Sequence, residues 1–152
     1  MSWLKNIMAR AGSLRVFLDS NVINSGIYSS DGPPAKILQL HATAKLKIIV
    51  CRLVIEEVVR TFQEKKPDAL PALQSFLTSA PPEIIKNPEL KEARRWTSLL
   101  KLEDAVILAA AVSAEPDYFV TGDRHFYAPP LIAEKSGLSI VTPAQLVKLI
   151  EK

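Results

Sequence analysis

An α/β fold, with a parallel central sheet and helices on both of its faces, is what this sequence predicts, on three observations. Strand-like and helix-like segments alternate along the chain, as they do when each crossover between parallel strands is a helix. The first strand, LRVFLDS (14–20), is short, β-rich and apolar on both faces, which marks an interior strand. The segment LEDAVILAAAVSAEP (102–116) is apolar nearly all round, the pattern of a helix buried on every side.

The elements follow in order. The stretch 24–34, NSGIYSSDGPP, supplies loop residues, and Pro33-Pro34 open a helix that runs to about Ala44. LKIIVCR (46–52) reads as the second strand. LVIEEVVRTFQEKK follows as a helix with Val54, Ile55, Val58, Val59 and Phe62 inward, stopped by Pro67. DALPALQSFLTSA is a further helix begun by Asp68, PPEIIKNP an extended connection or short strand, and PELKEARRWTSLL helical again. Pro116 ends the buried helix. A strand at 118–121, a helix near PPLIAEKSG, a strand LSIVT and a closing helix from Pro143 complete the chain.

At 152 residues, 48% hydrophobic and 23% charged, the chain fits one folded domain with a real core. The longest apolar run, AVILAAAV (105–112), falls far short of a membrane span, so no integral membrane association is expected. The lone Cys51 excludes an internal disulfide framework and suits a reducing, cytoplasmic compartment. A net charge of +3 permits nucleic-acid contact without arguing for it. Residues 1–13 carry Trp3, Leu4, Ile7, Met8 and Ala11 at helical spacing, so an amphipathic helix or extension leads a single domain at 14–152.

The acids fall at chosen places. In an open α/β sheet ligands bind beyond the carboxyl ends of the strands. Asp19 ends the first strand and Asp123 the strand YFVT, while Asp104 opens the buried helix between them in sequence. Glu56 and Glu57 sit in the first turns of the helix leaving the second strand, and periodicity does not choose between them. Singly, each has a structural explanation: acids start helices and make turns. Together, on one sheet edge, they form an acidic cleft whose repulsion calls for a positive ion. With only His41 and His125 available, oxygen ligands point to a hard cation, Mg²⁺ or Mn²⁺. An aspartate-based phosphatase would want an acid two residues after Asp19, and Asn21 stands there.

VFLDSNVINSGI, GPPAKILQL, IIVCRLVIEEVVRTF and LEDAVILAAAVSAEPDYFVTGD, in this order over residues 14 to about 126, resemble a PIN domain. The resemblance is strongest to the toxin components of prokaryotic toxin–antitoxin pairs. It implies a three-layer α/β/α sandwich and a metal-dependent endoribonuclease. The family's four acids map to Asp19, Glu57, Asp104 and Asp123, which chooses Glu57 over Glu56. All four are then catalytic and ion-holding, with Asn21 and Thr121 orienting ligands or water; Glu103 stands outside the pattern. The implied chemistry is in-line attack of water on RNA, leaving 5′-phosphate and 3′-hydroxyl ends without a covalent intermediate. The implied partners are an RNA substrate, a cognate antitoxin and a second copy of the chain. Arg124 and His125, next to Asp123, are candidates for contact with substrate phosphate, whereas Trp96 in RRW (94–96) reads as core. The alternative is a non-catalytic PIN-like scaffold that binds RNA or protein.

Overall fold

The computed structural model describes residues 14–151. The helix expected over residues 1–13 lies outside the described residues. The element order is β1 (Arg15–Leu18), α1 (Ser20–Tyr28), α2 (Pro33–Ala42), β2 (Lys47–Cys51), α3 (Arg52–Lys65), a 3₁₀ turn (Pro67–Ala69), α4 (Leu70–Ser79) and β3 (Glu83–Ile85). It continues with α5 (Leu90–Arg94), α6 (Leu102–Ala114), β4 (Tyr118–Val120), α7 (Arg124–Tyr127), α8 (Pro130–Ser136), β5 (Ile140–Val141) and α9 (Pro143–Ile150). The five strands form one parallel sheet in the order β3-β2-β1-β4-β5, the middle layer of an α/β/α sandwich.

β1 is central. Phe17 stands opposite Ile49 of β2 on one side and Phe119 of β4 on the other. Because helices cover both faces, the strands are apolar without alternation: Val16, Phe17, Leu18, Ile48, Ile49, Val50, Phe119 and Val120 are all fully buried. Phe119 meets Phe17 and Phe126 edge to face, at 5.7 and 5.1 Å between ring centroids. The buried helix is α6, with Ala105 and Leu108 to Ala111 inside. Its last turn is gripped from the start of β1: the Arg15 guanidinium donates to Ala114 O at 2.9 Å and Glu115 O at 3.1 Å.

Three elements differ from the sequence reading, one of them α7 over Arg124–Tyr127, which had no counterpart there. The stretch 24–34 is not all loop, since α1 runs from Ser20 to Tyr28. Asp19 caps it, Val22 and Ile23 are buried beneath it, and Gly26 allows α2 to come close. A Cβ on Gly26 would stand 2.7 Å from Leu38 Cδ1 and 3.0 Å from Pro34 O, so helix packing and not a turn requires this glycine. The expected helix over PELKEARRWTSLL keeps its α form only from Leu90 to Arg94, and turns follow. Trp96 is in the core at 6% exposure, leaving Arg94 and Arg95 without an exposed aromatic beside them.

His41, one of the two histidines, is committed to the fold. Its Nδ1 accepts the Ile48 N–H at 3.1 Å, so Nε2 carries the proton and donates to Ala80 O (3.0 Å) and Pro81 O (3.2 Å). The ring thereby ties α2 to β2 and to the approach to β3. Replacing His41 by alanine strands the buried Ile48 amide and two carbonyls. The expected cost is roughly 1–3 kcal/mol in a denaturant titration.

Candidate functional site

The strand order reverses direction at β1: the chain passes from β1 to β2 on one side and from β4 to β5 on the other. The crevice beyond the carboxyl ends of β1 and β4 is the place where such sheets hold ligands. The first residues past those two ends are Asp19 and Thr121.

Asp19 is 4% exposed. Its Oδ1 accepts the Ser20 N–H at 2.8 Å, and its Oδ2 accepts Asn21 Nδ2 at 3.0 Å and Thr121 Oγ1 at 2.8 Å. Thr121 in turn accepts the Asp123 N–H at 3.0 Å, and Asn21 Oδ1 accepts the Gly122 N–H at 3.0 Å. The two side chains expected to orient the site therefore stitch the β1 exit to the β4 exit. Burial pushes the Asp19 carboxyl above its ordinary value, the Thr121 and Ser20 hydrogen bonds pull it back, and repulsion from Asp123 and Asp104 adds to the rise.

Asp123 makes the i to i+2 side-chain turn expected of an acid at a strand exit. It caps α7, its Oδ1 accepting the His125 N–H at 2.9 Å and standing 3.1 Å from His125 Nδ1. Asp104 lies in the first turn of α6, 8% exposed, and accepts no hydrogen bond from any described residue. Burial and then the Asp123 charge raise its carboxyl, while Lys101 and His125 oppose the rise. One carboxylate oxygen each from Asp104 and Asp123 and one ring nitrogen of His125 lie within 4.8 Å of one another.

Glu57 projects from α3 toward Asp19, and Glu56 does not: Glu56 is exposed and stands 3.9 Å from Arg52 one turn earlier. Glu57 is half-buried and pushed up to about 7, first by burial, then by the Asp19 and Glu103 charges and a hydrogen bond with Glu103. Glu103, outside the expected pattern, is thus a fifth acid beside the site. Neighbours on a helix diverge by about 100°, so placing Asp104 at the start of the helix gave no sign that Glu103 reaches Glu57. The cleft next to Asp104 has a volume of about 680 Å³, and Lys101, Arg124 and His125 stand on its wall. Lys101 carried no signal in the sequence beyond preceding the helix.

The donors fit a hard divalent cation. Asp104, a residue 8% exposed whose carboxylate opens on the cleft, accepts no hydrogen bond from any described residue and is crowded by other acids, an arrangement that suits a positive ion. The PIN domain family matches residues 15–125, most of the chain. The chain belongs to the PIN-domain family. Such domains are typically metal-dependent nucleases. In fold this PIN domain is similar to a chain of VapBC2 from Rickettsia felis, solved bound to a DNA fragment from its promoter. That likeness has a TM-score of 0.62 at 18% identity and covers 85% of this chain and 98% of that one. It is similar also to PAE2754 from Pyrobaculum aerophilum, with a TM-score of 0.62 at 19% identity, over 91% of this chain and 97% of that one. No curated protein matches the chain in sequence. No helix among the described residues is long and apolar enough to cross a membrane.

The acid cluster sets a pH dependence. Glu57 titrates near 4.5 when unfolded and about 7 when folded, so the folded protein holds the proton more tightly. Stability is greatest below the unfolded value and is lost as pH rises from 4.5 through about 7. Melting curves of EDTA-treated protein should fall across that window, and saturating Mn²⁺ should remove the fall. Asp104→Asn, which deletes one of the repelling charges, should raise the ion-free melting temperature above pH 7 by about 2–4 °C.

Proposed function

We propose that this PIN domain is a Mg²⁺- or Mn²⁺-dependent endoribonuclease and the toxin of a toxin–antitoxin pair. The observation that carries the reading is the pairing of a donor-free buried Asp104 carboxylate with Asp19, Asp123 and Glu57 at one crevice, beside a cleft walled by Lys101, Arg124 and His125. Acids alone would repel a phosphodiester. Acids that hold a divalent ion, with cations at the rim, attract one.

In this reading Asp19 and Asp104 are the principal ion ligands, and Asp123 and Glu57 complete the set directly or through water. Asn21 and Thr121 keep the Asp19 carboxylate in one orientation, through the bonds of 3.0 and 2.8 Å described above. The bound ion supplies a lowered pKa for the attacking water and neutralises charge on the phosphate and the leaving oxygen. Arg124 and Lys101 line the cleft next to Asp104, where a scissile phosphate would lie. No side chain needs to bond to substrate covalently, and the products are 5′-phosphate and 3′-hydroxyl ends. The protein acts in the cytoplasm, where a free Cys51, buried and raised in pKa by burial, stays reduced and inert. Its protein partners are a small antitoxin, as the name VapBC suggests for the relative, and a second copy of the chain.

The test is incubation of purified protein with mixed cellular RNA in Mg²⁺ or Mn²⁺, with EDTA and Asp19→Asn controls. Cleavage that needs the ion, leaves 5′-phosphates and drops at least about 100-fold in Asp19→Asn is the expected outcome. RNA bound without cleavage under either ion would make this domain a binding scaffold instead.

A further inference from the structure

Four carboxylates need not be the whole of the ion's coordination at this site. We infer that His125 supplies a nitrogen ligand to the ion held by Asp104 and Asp123, so that the site prefers Mn²⁺ to Mg²⁺. The inference rests on the proposed ion site and adds to it a ligand and a metal selectivity.

Three observations carry it. First, the donor atoms of Asp104, Asp123 and His125 already lie within 4.8 Å of one another. Ligands bound at about 2.1–2.3 Å stand roughly 3 to 4.5 Å apart around one ion, so closure asks for small side-chain rotations only. Second, Asp104 is more than nine-tenths buried as a residue, its carboxylate accepts no hydrogen bond from any described residue, and it opens on the cleft that His125 also lines. A charged group left so is built for an occupant. Third, His125 is held close by its own backbone. Its N–H donates to Asp123 Oδ1 at 2.9 Å, and the ring nitrogen Nδ1 stands 3.1 Å from the same oxygen. Because α7 begins at Arg124, the backbone N–H two places after Asp123 returns to the Asp123 carboxylate, and the ring stands beside it.

The chemistry then sets the metal. Mg²⁺ is hard, demands oxygen and keeps its waters, whereas Mn²⁺ accepts imidazole among carboxylates. A ring that merely oriented Asp123 by a hydrogen bond would favour both ions alike. Selectivity, and not affinity alone, separates the two roles.

The experiment uses the full chain without RNA. Calorimetric titration with Mn²⁺ and with Mg²⁺ compares the wild type with His125→Ala, and pulsed electron paramagnetic resonance of the Mn²⁺ complex looks for coupling to a directly bound ¹⁴N. The His125 side chain is 76% exposed, so its loss should leave the fold intact. The expected result is imidazole nitrogen coupling in the wild type, its disappearance in the variant, and a loss of Mn²⁺ affinity of about tenfold or more against less than about twofold for Mg²⁺. Equal losses for the two ions, or a wild-type spectrum without bound nitrogen, would overturn the inference while leaving an all-oxygen nuclease site standing. Failure of the wild type to bind either ion would overturn both.

Discussion

The carboxylate of Asp19 is taken out of water and held by three donors, one of them just past the end of the neighbouring strand, and the open end of the sheet is organised around that holding. A buried carboxylate without donors is strongly unfavourable, so the exit of β1 has to find hydrogen bonds as it leaves the core. It finds them by capping its own helix and by reaching across to Thr121, which is why β1 and β4 end side by side. Asp104 is the counterpart: nearly as buried, with no donor among the described residues. One acid is satisfied by the chain, and the other accepts no hydrogen bond from any described residue.

That contrast carries a cost in stability. Asp19, Glu57 and Asp104 all have raised carboxyl pKa values, and in each case burial is the first cause and a neighbouring acid contributes. A fold selected only for stability would place a hydrophobic side chain at these positions. The N-terminal ends of α1, α3 and α6 face the same edge, and their partial positive charge offsets part of the repulsion. The remainder is repulsion that a cation held among these acids would relieve.

Much of this was legible beforehand, for identifiable reasons. Interior strands such as KIIVC and the all-apolar α6 are long enough runs of one pattern to be read directly, and parallel alternation then puts every strand exit on one edge. Asp19, Asp104 and Asp123 follow from that topology. α1 was hidden because Asn24, Ser25 and Gly26 imitate a turn, and only the closeness of α2 explains the glycine. Glu57 against Glu56 was beyond periodicity, because both leave the apolar face and differ only in what lies opposite. His125 was legible as a neighbour of Asp123 but not as a ring folded back over it, since that depends on α7 starting at Arg124. Residues 1–13 stand outside the comparison.

The grip of Arg15 on the last turn of α6 has a reach larger than its two hydrogen bonds suggest. A helix of 13 residues is a stiff rod roughly 20 Å long, pinned here at its carboxyl tip and bearing Asp104 at the other. Tilting a rod about one end displaces the opposite end most. A guanidinium on the rear rim of the sheet thus holds the same helix whose other end bears a carboxylate on the front.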